Sequence, residues 1–234
     1  MPNTYSLTVI NDSEVDEVFA VFALLPESTD FNSLSLAWLT QQIDASNQYV
    51  FTWNISWGLA WASMGVTPNY QWAGSGAIAA NPTSDEACAF DFTYNNDFQI
   101  VPAQGTANGY ELWITDSPQI PLPSVKASSV ACTLSGTSVC AIDAGPNLTQ
   151  TFTLHPTYFI DAGNYVAGQM VDGSSVSQFQ ELQYLDGNTA LTATLNQDNT
   201  WSVESSSAVD FAARLGGNGG PAPARSPGRS RVRG

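Results

Sequence analysis

The chain has 234 residues, with 21 acidic side chains against six basic ones and one histidine, for a formal net charge of −15 at pH 7. Up to residue 210 the only cation is Lys126; the arginines (Arg214, Arg225, Arg229, Arg231, Arg233) all follow. Such a body can form few internal ion pairs, and it repels nucleic acid and anionic lipid wherever salt does not screen it, which excludes nucleic acid as a partner.

In chain order, Tyr5, Leu7 and Val9 alternate with Ser6 and Thr8 as in a half-buried strand, and Asn11-Asp12-Ser13 ends it. Val18–Leu25 is apolar almost throughout, which suits a strand buried on both faces or a short helix, and Pro26 closes it. Ser35–Ile43 fits either element. From Tyr49 to Trp61 the odd positions read Tyr, Phe, Trp, Ile, Trp, Leu, Trp, and the even ones are polar or small. The tryptophan spacing of four also fits a helix face. A helix, however, would turn Ile55 and Leu59 about 160–200° away from that stripe. A strand puts all seven on one side, as one long strand bent at Gly58 or two strands meeting there.

Shorter runs repeat the pattern: Cys88–Tyr94, Phe98–Val101, Tyr110–Thr115, Val125–Leu134, Val139–Ile142, Thr151–Leu154, Tyr165–Val171 and Gln178–Leu185. Leu191–Leu195 and Trp201–Val203, joined through Asp198-Asn199, make the clearest hairpin. Many short strands between Gly, Pro, Asn and Asp loops predict an antiparallel β-sandwich of jelly-roll or immunoglobulin-like type, a single all-β domain over residues 1–207. Residues 208–234, rich in Gly, Pro and Arg, bury no core and read as a disordered tail or an added extension. The start lacks the basic region of a signal peptide, and no stretch reaches the roughly 18–20 apolar residues of a membrane span. The expectation is a cytoplasmic protein, or one secreted without a cleaved leader.

Candidate chemistry is sparse. His155 is the only histidine, so Ser-His-Asp or Cys-His catalysis would have to use it, yet no Gly-x-Ser-x-Gly elbow supplies a nucleophile. It reads better as a hydrogen-bonding corner residue or part of a ligand site. Cys88, Cys132 and Cys140 are expected as buried thiols; the spacing of the last two matches no zinc ligand pair. A turn at Leu134–Ser138 places those two across a hairpin, where a disulfide requires an oxidising compartment. Glu111 and Glu181, on two predicted strands that share a Glu-Leu-x-x-x-Asp outline, are the one carboxylate pair suited to glycoside hydrolysis. In each outline the Glu and Asp (Asp116, Asp186) face opposite sides of the strand. Solvent-facing carboxylates are the ordinary state for such positions.

Calcium suits the charge balance, and Asp12, Asp143 and Asp186 sit in loops with the right oxygens, but without EF-hand spacing. Each serves equally as a turn residue. No cofactor is otherwise implied. Gly74-Ser75-Gly76 is too short a glycine pattern to hold phosphate. Sugars stack on aromatic rings and bond to amides, which makes Tyr70-Gln71-Trp72 the best candidate for a carbohydrate site; the competing reading is that Trp72 pins its loop.

Three stretches are familiar together. Tyr5-Ser-Leu-Thr-Val-Ile-Asn11, the aromatic run Phe51–Gly65 and the closing Leu191–Val203 resemble the opening, central segment and final hairpin of the RhiA-like bacterial proteins, a rhizosphere-expressed group. The matched positions are core and turn residues, and no catalytic residue is carried over by them. The resemblance implies a bacterial β-protein linked to population density or host association; the arginine-rich end departs from it. The function expected is non-enzymatic binding of a small polar molecule, glycan or partner protein. The alternatives are a carbohydrate hydrolase using Glu111 and Glu181, and a membrane-acting β-sandwich.

Overall fold

The structure, a computed structural model, describes residues 4–26 and 33–205; the expected tail at 208–234 lies outside them. β1 (Thr4–Asn11) and β2 (Glu17–Leu24) flank a turn organised by Asn11. Its side-chain amide donates to the carbonyls of Val15 (2.9 Å) and Ile43 (2.8 Å), and its Oδ1 accepts from Ser13. The ambiguous segment after residue 32 is extended, as β3 (Leu34–Leu36) and β4 (Leu39–Ile43). The aromatic run divides into β5 (Gln48–Asn54) and β6 (Trp57–Ala62), so the break falls at Ile55-Ser56 and not at Gly58. Gly58 lies inside β6 because two chains pass close by: a Cβ there would meet Thr133 Oγ1 at 2.6 Å and the Ile78 carbonyl oxygen at 2.7 Å.

β7 (Gly76–Ala80), β8 (Ala89–Tyr94), β9 (Phe98–Ala103) and β10 (Glu111–Asp116) follow, then the hairpin of β11 (Ser129–Leu134) and β12 (Thr137–Asp143). Next come β13 (Thr149–Thr153), β14 (Thr157–Gly163) and β15 (Met170–Asp172). A single helical turn, α1 (Gly173–Val176), is capped by the Asp172 carboxylate on the Ser174 N–H. β16 (Gln180–Leu182) leads to the closing hairpin of β17 (Ala190–Leu195) and β18 (Trp201–Ser205), in the expected register with Leu195 opposite Trp201. β7 and β14 have no counterpart among the alternating runs. β7 is made of Gly, Ala and one Ile, and β14 is apolar on both faces, so neither shows a period of two.

The described strands form four sheets, in the orders β18-β17-β1-β5, β13-β10-β8-β9, β15-β3-β12-β11-β6-β7 and β16-β14-β2-β4. Pairing is antiparallel except for β1 with β17 and β10 with β8. All four sheets supply one apolar core, including Leu7, Phe19, Trp53, Leu59, Phe92, Ile114, Val130 and Ile160. Trp38 lies in it, donating its indole N–H to the Leu134 carbonyl at 3.2 Å and meeting Trp53 edge-on at 5.4 Å. Lys126, the lone cation of the body, rests 4.8 Å from the ring centroids of Tyr94 and Phe98. Among the described residues no helix is long and apolar enough to cross a membrane.

Two sheets are buried on both sides. The outer face of the β2–β14 sheet carries Ala20, Phe22 and Phe159 under Val176 of α1, with Tyr165 and Phe179 packed on them. The outer face of the β6–β11–β12 sheet carries Ala60, Ala62, Ala131 and Ala141, with Leu34, Leu36, Trp72 and Met170. These small side chains leave room for whatever crosses above them.

A neutral groove and a buried carboxylate

What crosses the alanine face is the segment between β6 and β7. Its extended part is stitched to the chain before β15: Asn69 N donates to the Met170 carbonyl, Met170 N to that of Tyr70, and Trp72 N to that of Gly168, each at 2.8 Å. The Gly168 contact is close, since a Cβ there would lie 2.7 Å from the Trp72 carbonyl oxygen, and its φ of +78° is one that other residues rarely adopt. Trp72 lies flat under this strap with 6% of its surface exposed, its Nε1 donating to Ser129 Oγ at 2.8 Å. The Trp72 ring therefore pins the strap to the sheet.

Beside that ring the strap does not fill the face. A groove of about 460 Å³ opens between it and the β11–β12 turn. Leu36, Ala60 and Trp72 supply its apolar surface, while Ser75, Thr133, Thr137 and Ser138 supply hydroxyls. The remaining lining is Gly or Ala, so among the described residues no ionisable side chain borders the groove. Hydroxyls on an aromatic and aliphatic base can hold an uncharged polar ligand, and nothing there can serve as a nucleophile, acid or base of the usual strength.

Of the residues singled out from sequence, Trp72 borders this groove and Tyr70 sits two residues away in the same strap, 65% exposed. His155 is placed elsewhere. It follows β13, exposed, stacked on Tyr110 with ring centroids 6.0 Å apart. Glu111 and Glu181 are on different sheets, on β10 and β16. Glu111 accepts from the Asn108 amide at 2.6 Å, and Glu181 is exposed at an edge strand. Neither borders the groove. Asp12, Asp143 and Asp186 lie in three separate places: after β1, at the end of β12 and in the turn after β16. Asp143 accepts from the Val66 N–H at 2.8 Å, and Asp186 holds a left-handed turn with φ of 55°. No three His, Cys, Asp or Glu side chains gather to hold a metal ion among the described residues.

The groove hydroxyls escaped the sequence reading because they come from two distant segments, the strap and the β11–β12 hairpin. Their local signals were the Gly74-Ser75-Gly76 and Ser135-Gly136-Thr137-Ser138 turns, which say nothing about facing each other. The cysteine expectation is met: Cys132 and Cys140 stand opposite each other on β11 and β12 as buried thiols, and Cys88 is buried too. Burial pushes the Cys140 thiol up to about 12 and raises the Cys132 thiol well above its ordinary value, so neither is a ready nucleophile.

One carboxylate departs from the surface role expected of strand acids. Leu112, Ile114 and Asp116 alternate inward along β10, and Asp116 is 1% exposed. Its Oδ2 accepts from Gly145 N (2.8 Å) and Gln150 Nε2 (2.9 Å). Burial raises its pKa to about 6, against the lowering effect of those two bonds. The outward Glu111 on the same strand confirms that the two acids of this outline face opposite ways.

The family model described as RhiA matches residues 2–206. Protein RhiA of Rhizobium leguminosarum bv. viciae is 30% identical over 203 residues, covering 85% of either chain. No solved structure matches the chain. The match spans every described strand, from β1 through β18, and on it the chain belongs to the RhiA family.

Proposed function

We propose that the protein is a non-enzymatic binding protein whose ligand is an uncharged, hydroxyl-rich molecule, a short neutral glycan, held in the groove over the β6–β11–β12 sheet. The observation that carries this reading is the lining: four hydroxyl-bearing residues border a base formed by Trp72, Leu36 and Ala60, with no ionisable side chain among the described residues. The volume falls in the range of small-molecule sites, about 300–1,000 Å³. An ionic ligand would find no counter-charge there, and a reacting one would find no acid or base. The strap and the β11–β12 turn form the two walls, so discrimination among glycans falls to Thr137 and Ser138 on one side and Ser75 on the other.

The test is titration calorimetry against a panel of neutral oligosaccharides, using the intact chain and Ala167→Phe, which places a ring in the groove mouth. Saturable binding by the parent, lost in the variant with its melting temperature kept, supports the reading. Binding that survives in Ala167→Phe moves the site elsewhere. Release of shortened sugars during the titration would favour hydrolysis over simple binding.

A further inference from the structure

The Asp116 site is a buried polar knot that the groove does not use. β10 ends there, and the loop after β12 folds around it. Asp116 N donates to the Leu148 carbonyl (2.8 Å), Asn147 N to the Asp116 carbonyl (3.1 Å), and Ala144 N to that of Ser128 (3.0 Å). With Gly145 N and Gln150 Nε2 both on Oδ2, one oxygen of the carboxyl group has two donors. The other, Oδ1, has no partner among the described residues, and neither has Gln150 Oε1. The buried hydroxyls of Ser117 and Ser128 are also without partners, so neither of them serves Oδ1. Two orphan acceptors thus sit on two side chains already joined by one hydrogen bond. A buried acceptor without a donor is destabilising, and more so when it is charged.

Among the described residues no cation relieves this arrangement. The titratable groups on the surrounding elements are Asp143 at the end of β12, Asp91 on β8, Glu111 at the start of β10 and Lys126 ahead of β11. Asp143 is taken up by the Val66 N–H, and Lys126 by two aromatic rings. Asp91 pairs with the outward Thr115 and lies between inward Phe90 and Phe92, which turns it to the opposite face. None of them contributes to the shift at Asp116. A proton on Oδ1 removes both orphans at once without importing an ion, because it turns one acceptor into a donor for the other.

We propose that Asp116 is a neutral carboxylic acid in the folded protein at mildly acidic pH, donating its Oδ1 proton to Gln150 Oε1 and closing a reciprocal acid–amide pair that latches the 144–149 loop to β10. The step is a simple proton uptake from solvent; no bond other than O–H forms. As pH rises through about 6 the proton leaves, the charge is stranded without a cation among the described residues, and the latch weakens. The folded chain holds this proton more tightly than an unfolded one, whose carboxyl titrates near 3.8. The stabilisation is therefore complete below that value and is lost as pH climbs through about 6.

Urea unfolding of the intact chain and of Asp116→Asn at pH 5 and pH 8 tests this. Both conditions lie above the isoelectric point of about 4.1, where solubility is least. The asparagine keeps the shape and supplies a permanent donor. Asp116 should raise the folded-to-unfolded ratio of the parent about tenfold more than that of the variant on going from pH 8 to pH 5. A carbon-13 titration of the Asp116 carboxyl in the parent gives an independent answer if the variant does not fold. A midpoint above 5 supports the proposal, and one at or below 4.5 overturns it. Stabilisation of the parent at pH 8 by added calcium or potassium chloride, absent in Asp116→Asn, would also overturn it, because the orphan oxygens would then belong to an ion.

Discussion

The two sheets covered on their outer faces are covered in opposite ways. Over β2 and β14, large rings interlock: Phe22 meets Tyr165 edge-on at 5.5 Å and Phe179 at 5.2 Å, and α1 adds Val176. Over β6, β11 and β12 the sheet presents alanines, the cover is a glycine-rich strap, and a single ring, Trp72, bridges the two. The first cap fills its space and the second leaves a groove of about 460 Å³. Both covers are short irregular segments held by backbone hydrogen bonds. What differs is side-chain volume on the sheet, and that difference separates a surface that only stabilises from one that can receive a ligand.

The comparison can be broken from either side. Phe22→Ala removes the ring at the centre of the filled cap and should cost about 3–5 kcal/mol in urea unfolding, while leaving glycan binding per folded molecule unchanged. Equal loss of binding at a concentration where the variant is folded would mean that the caps are coupled. Ala60→Leu makes the alanine face resemble its counterpart. It should cost about 1–3 kcal/mol through overpacking and abolish binding, since Ala60 is buried at the groove base. A variant that still binds would show that the ligand does not reach that depth. Trp72→Phe is the mildest change, deleting the N–H that Ser129 Oγ accepts at 2.8 Å, and should cost about 1 kcal/mol. If stability is unaffected, the strap is held by its three backbone bonds to residues 168–170 alone.

Much of the fold was legible because strand patterning is local. The apolar run Val18–Leu25 suited a doubly buried strand or a short helix; it is the strand β2, and its two faces enter two different clusters through Val21 and Phe22. The β17–β18 hairpin followed from its turn residues. The run Tyr49–Trp61 was correctly extended, but its break was misplaced because Gly58 answers to Thr133 and Ile78, residues far along the chain. The candidate site was far less legible. Trp72 and Tyr70 were noted for their aromatic character, yet the exposure of Tyr70 and the burial of Trp72 depend on a strap that alternation does not describe. Asp116 carried a signal that was there to read, since it continues the inward series of Leu112 and Ile114.

By itself, then, the amino-acid order determined the all-β class, most strand positions, the buried thiols and the scarcity of ion pairs, because period, turn chemistry and charge count depend on near neighbours or on none. Tertiary structure alone decided the parallel pairing of β1 with β17, the meeting of Ser75 with Thr133 and Thr137 across one groove, the placing of Glu111 and Glu181 on different sheets, and the stranding of Asp116 Oδ1. Each of these depends on which of many compatible strand edges and faces come together. That choice is made by packing over the whole core, and no short stretch of sequence encodes it.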